Sequence, residues 1–70
     1  MKETLIPRSS NIAQVDYDSD AQQMDITFQD GRAWRYNGVP QSVWLGMQNT
    51  TSKGSYFYRQ VRGRYSEEEI

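Results

Sequence analysis

The chain has 70 residues, nine acids against eight bases for a net charge of −1, and neither cysteine nor histidine. That length sets one small domain, which buries only roughly 60% of the surface its unfolded chain exposes. The composition removes disulfides, thiolate metal sites and the usual general base near neutral pH. Nine aromatic residues are then the main supply of core, and no segment is apolar for long enough to serve as a signal peptide or a membrane span. A soluble, cytoplasmic monomer without metal or cofactor is expected.

Residues 1–10 hold proline, arginine and two serines without periodicity and read as a flexible arm, dispensable for folding. From Asn11 the pattern changes. Val15 and Tyr17 alternate with Gln14, Asp16 and Asp18, as in a half-buried strand, and Asp18-Ser19-Asp20 has the chemistry of a turn. Met24, Ile26 and Phe28 alternate with Gln23, Asp25 and Thr27 in a second strand. Asp30-Gly31 then signals a tight hairpin, and Trp34 and Tyr36 alternate with Ala33 and Arg35 in a third strand.

Asn37-Gly38-Val39-Pro40 ends the sheet, with Pro40 suited to the first turn of a helix. Val43, Trp44 and Met47 give that helix its apolar side, over about two or three turns. Ser52 is placed to cap a second helix with Tyr56, Phe57 and Val61 inward, and residues 66–70 read as a frayed acidic tail. The expected architecture is α+β: a three-stranded antiparallel meander followed by two short helices packed on one face, all within residues 11–65.

Charge is distributed unevenly along the chain. Asp16 to Asp30 carries five aspartates and no base, whereas Arg32 to Arg64 carries bases and no acid. Such a dipolar surface matters more to partners than the total charge. Asp16, Asp18, Asp20 and Asp25 fall on outward strand positions and in a turn, without calcium-loop spacing, so structural roles are expected for them.

Gly31, the pair Trp34 and Tyr36, Val39-Pro40, Ser52-Lys53-Gly54-Ser55-Tyr56-Phe57 and Val61-Arg62 together resemble the KTSC domain family. The resemblance runs from about Asn11 to Tyr65; Trp34 departs from it, standing where the family usually has tyrosine. The family takes its name from a module at the C-terminus of some lysyl-tRNA synthetases and includes small free-standing bacterial and phage proteins. The resemblance implies a binding module, with RNA as one ligand class. The free-standing format also resembles small phage regulators that bind host RNA polymerase, inhibiting initiation or promoting antitermination.

Candidate binding residues follow from chemistry. Arg59, Arg62 and Arg64 in and after the second helix, with Arg32 and Arg35 elsewhere, can hold phosphates or the carboxylates of a protein in bidentate hydrogen bonds. Lys53, at the start of that helix, could hold an anion there, and Tyr56 or Tyr58 could stack a base. Trp34-Arg35-Tyr36 could stack bases and hold a phosphate, but the Trp34 and Tyr36 rings are expected in the core beneath the helices. No residue is expected to be catalytic, since nothing is placed to activate a nucleophile. The favoured reading is a protein-binding regulator with bacterial RNA polymerase as partner, joined by strand addition at an exposed sheet edge and by the arginines. The alternative is an RNA-binding module that sets the basic second helix against phosphates.

Overall fold

Alternating apolar residues build the centre of the sheet as their spacing demands. In the computed structural model, which describes residues 2–70, three central strands run antiparallel: β2 (Ile12–Asp18), β3 (Gln23–Phe28) and β4 (Ala33–Asn37). Val15 and Tyr17 of β2, Met24 and Ile26 of β3 and Tyr36 of β4 are buried on one face. Ile12 is also fully buried, although it lies three residues before Val15 and would break strict alternation. A register shift between Ile12 and Gln14 accounts for it, because the extra residue turns Ile12 back toward the core. Phe28 N–H donates to the Arg32 carbonyl across the hairpin, where Gly31 takes φ 91° and the Asp30 carboxylate accepts the Arg32 N–H.

The sheet has five strands, which corrects the expected three-stranded meander. β1 (Lys2–Leu5) pairs with β2 through the registers Glu3 to Tyr17 and Leu5 to Val15, and β5 (Ser66–Glu69) pairs with β4 through Tyr36 to Glu67 and Trp34 to Glu69. The strand order is β1-β2-β3-β4-β5. The segments read as a flexible arm and a frayed tail thus contribute the two edges, while Met1 lies outside the described residues. Neither edge shows itself locally. The inward positions Glu3, Glu67 and Glu69 are charged, and Ser66–Glu69 is exposed throughout. Such strands form because β2 and β4 offer unpaired main-chain groups, and charged side chains are common on edges.

The two helices fill the connection from β4 to β5 and cover the inner face. In α1 (Gln41–Asn49) Trp44 and Met47 are buried. The Trp44 ring stacks on Tyr17 at a centroid distance of 5.3 Å, which places α1 over β2. Pro40 sits at the N-cap, one position earlier than the first turn. In α2 (Lys53–Gln60) the buried Phe57 meets Phe28 and Tyr36 edge to face at 5.7 and 5.4 Å, which places α2 over β3 and β4. Ser52 stands at the N-cap but makes no side-chain bond there, so the capping expected of it is not made. Its carbonyl accepts the Tyr56 N–H instead.

The helices approach closely at Gly46, where any side chain would collide with the Tyr56 hydroxyl; that hydroxyl donates to the Val43 carbonyl of α1. After α2, Gly63 takes φ 78°, and this left-handed residue turns the chain back toward β4. No helix among the described residues is long and apolar enough to cross a membrane.

Candidate functional site

The two faces of the sheet differ in how far their polar groups are already engaged. On the outer face, which carries no helix, the row Thr4, Asp16, Asp25, Arg35 and Glu68 crosses all five strands. A polar depression of about 300 Å³ opens on this face. Thr4 donates to Asp16 at 2.6 Å, Gln14 also donates to Asp16, and Arg35 grips Asp25 through two bonds of 3.0 and 3.2 Å. The hydrogen bonds to Asp25 come first among the causes that raise the Arg35 pKa above its ordinary value. Asp16 and Asp25 are thus held in the face itself, and Arg35 is engaged by a neighbouring strand.

The inner face has a groove of about 360 Å³ beside α2, and its walls are aromatic. Phe28 of β3 and Trp34 and Tyr36 of β4 form one side; Phe57 and Tyr58 of α2 form the other. Phe28 and Trp34 are only half-buried, so part of each side chain is accessible at the groove, and Trp34 is not enclosed under the helices as expected. Tyr58 is 45% exposed at the rim, where the Asn11 amide donates to its hydroxyl at 3.0 Å and the Arg62 guanidinium lies 5.2 Å from its ring centroid. Arg32, Asp30 and Glu67 complete the rim with charge of both signs.

The residues singled out in the sequence are divided among three places. Tyr58 and Arg62 come together at the groove. Arg59 donates weakly to the Ser55 carbonyl at 3.4 Å, and Arg64 donates to the Arg59 carbonyl at 2.8 Å, so both are occupied in part with their own helix end. Lys53 turns back to α1, where its ammonium donates to the Thr50 carbonyl at 2.7 Å and the Gln48 carbonyl at 3.4 Å. A cation at a helix C-terminus satisfies carbonyls that have no intrahelical donor. Arg35 lies on the opposite face of the sheet.

Sequence reasoning weighed Trp34 as a stacking ring but set it in the core, counted Arg32 among the arginines of a binding surface, and missed Phe28 as a groove residue and Glu67 as part of the rim. The available signal was a surplus of rings: two helices of nine and eight residues are short covers for the aromatics that the strands present.

These features define a small α+β domain, five antiparallel strands with two helices on one face and an open aromatic groove beside the second helix. The sequence model of the KTSC domain matches residues 8–65, and the chain belongs to the KTSC domain family. The crystal structure of a KTSC domain protein from Yersinia pestis superposes with a TM-score of 0.89 at 27% identity, covering 100% of this chain and 99% of that one. The chain is also similar to a segment of two lysine–tRNA ligases, 32% identical over 66 residues in Trichormus variabilis (strain ATCC 29413 / PCC 7937) and 33% identical over 66 residues in Nostoc punctiforme (strain ATCC 29133 / PCC 73102). Each alignment covers 94% of this chain but spans only 12% of the ligase.

Proposed function

We propose that this domain works by binding, without catalysis, and that its ligand is RNA presented with unpaired nucleotides. The observation that carries the reading is the groove, where accessible Trp34 and Phe28 rings lie beside Arg32 and Arg62. Unpaired bases stack on aromatic faces at about 1–3 kcal/mol each, and arginines at the rim pair with phosphates. Its volume of about 360 Å³ falls in the usual range of ligand clefts. The similarity to segments of two enzymes named for a tRNA points the same way.

The test uses the fluorescence of the two tryptophans. Trp44 is fully buried and Trp34 is not, so stacking in the groove should quench the Trp34 signal. An octaribonucleotide of mixed sequence should quench it saturably, and log affinity should fall with log salt at about −0.7 per phosphate contacted. Arg62→Glu should weaken binding and flatten that slope while the circular dichroism spectrum stays unchanged. Equal affinity of Arg62→Glu and the unaltered protein would remove the groove from consideration.

The polymerase-regulator reading belongs to the same experiment. None of the relatives named above carries that description; of the arginines on which it drew, Arg59 and Arg64 hydrogen-bond carbonyls of α2 and Arg62 lies at the groove. Capture of bacterial RNA polymerase by the domain, insensitive to nuclease and lost in Arg59→Glu, would restore it.

A further inference from the structure

Two tyrosines that point inward place their hydroxyls on main-chain carbonyls. Tyr17 donates to Val39 at 2.7 Å and Tyr56 to Val43 at 3.0 Å. Tyr36 is different. Only 2% of it is exposed, yet its hydroxyl has no hydrogen-bond partner among the described residues. No buried side-chain oxygen or nitrogen is left both sealed and unpaired, so this hydroxyl opens into the groove that Tyr36 lines. A hydroxyl that opens into a cleft bonds solvent there, so a ligand that excludes that solvent binds better if it supplies a polar partner in its place.

Glu67 stands directly across from Tyr36 on β5, on the same face of the sheet. Side chains so paired leave Cβ atoms about 5 Å apart, close enough to contact one ligand together. The Glu67 side chain makes no ion pair or hydrogen bond among the described residues, although Arg62 lines the same groove. Burial, and then the charge of Glu67, raises the Tyr36 pKa, while Arg62 pulls it down. The hydroxyl therefore stays protonated at neutral pH and can donate.

We infer that the Tyr36–Glu67 pair makes the groove selective for guanine, with the carboxylate accepting both N1–H and N2–H and the hydroxyl donating to O6. The inference rests on the RNA reading above. A carboxylate only accepts, and among the four bases guanine alone offers two adjacent N–H donors on one edge, with an acceptor beside them. Two parallel bonds to a carboxylate are a strong, directional arrangement. Adenine and cytosine each put one amino group beside an acceptor ring nitrogen, which would repel the second carboxylate oxygen. Uracil has one N–H between two carbonyls. Trp34 or Phe28 supplies the stacking surface, which every base can use equally.

The probes are uridine octamers carrying one central guanosine, adenosine or inosine. The guanosine octamer should bind about tenfold more tightly than the adenosine octamer, with inosine between them because it lacks the N2 amino group. Tyr36→Phe keeps the ring and its packing, so it should fold normally; it and Glu67→Gln should each shrink the guanosine preference severalfold while leaving adenosine binding nearly constant. Equal affinity for the guanosine and adenosine octamers, with binding intact, would overturn the selectivity and leave the RNA reading standing. A preference that survives in both variants would overturn the assignment to this pair. No binding to any octamer would overturn the RNA reading, and this inference with it.

Discussion

The two tryptophans divide the inner face of the sheet into a closed half and an open half. Around Trp44 every group is engaged: the ring stacks on Tyr17, and the indole N–H donates to the Glu3 carboxylate at 3.0 Å. Beside Trp34, Phe57 meets Phe28 and Tyr36 edge to face, yet the cleft stays open and the Tyr36 hydroxyl has no partner among the described residues. The difference comes from the edge strand alongside. β1 delivers Glu3 to the indole N–H of Trp44, whereas on β5 Glu69 pairs with Arg32 at 3.6 Å and the Glu67 carboxylate bonds no ring among the described residues. A small domain thus closes one half of its inner face and leaves the other open as a groove.

Truncating the tryptophans gives the largest contrast. Trp44→Ala should cost about 3–5 kcal/mol, a large part of what a domain of this size possesses. Trp34→Ala, at a half-buried position, should cost about 1–2 kcal/mol. Urea denaturation compares them, and equal losses would mean that the Trp34 half is as closed as the other. Next comes Glu3→Ala, which leaves the buried indole N–H without its acceptor. It should lose about 1–3 kcal/mol, measured in the same way, whereas Glu67→Ala should change stability little. A negligible loss at Glu3 would show that β1 does not secure Trp44.

The paired tyrosines sharpen the comparison further. Tyr17→Phe removes the bond to the Val39 carbonyl and should cost about 1 kcal/mol. Tyr36→Phe removes a hydroxyl that bonds to nothing in the protein, and its denaturation midpoint should match or exceed that of the unaltered protein. The reverse order of these two variants would place the unsatisfied hydroxyl on the wrong side of the molecule. The smallest effect concerns pH. Burial is the first cause of the raised pKa values of Tyr17, Tyr36 and Tyr56. The unfolded chain gives up these protons near pH 10 while the folded one keeps them, so stability is full below about pH 10 and declines as pH rises beyond it. Denaturation midpoints measured from pH 8 to pH 11 should be flat and then fall; a rise above pH 10 would contradict the burial of these phenols.

The sequence by itself determined the central strands, the Asp30-Gly31 hairpin and both helices. Each depends on short-range rules: alternation for Met24 and Ile26, a positive φ at Gly31, helical spacing for Trp44 and Met47. It also determined that an aromatic surplus existed. Only the tertiary structure decided where that surplus would be covered. Lys2–Leu5 and Ser66–Glu69 have no apolar period to reveal them, because an edge strand is chosen by the main chain of its neighbour and can carry glutamate on either face. The same holds for the candidate binding residues. Arg35 and Arg62 are identical in a list of charges, but Arg35 meets Asp25 across a strand pair, and Arg62 meets the Tyr58 ring at the mouth of a groove. Which arginine has a partner is a property of residues distant in sequence, and the folded chain alone brings them together.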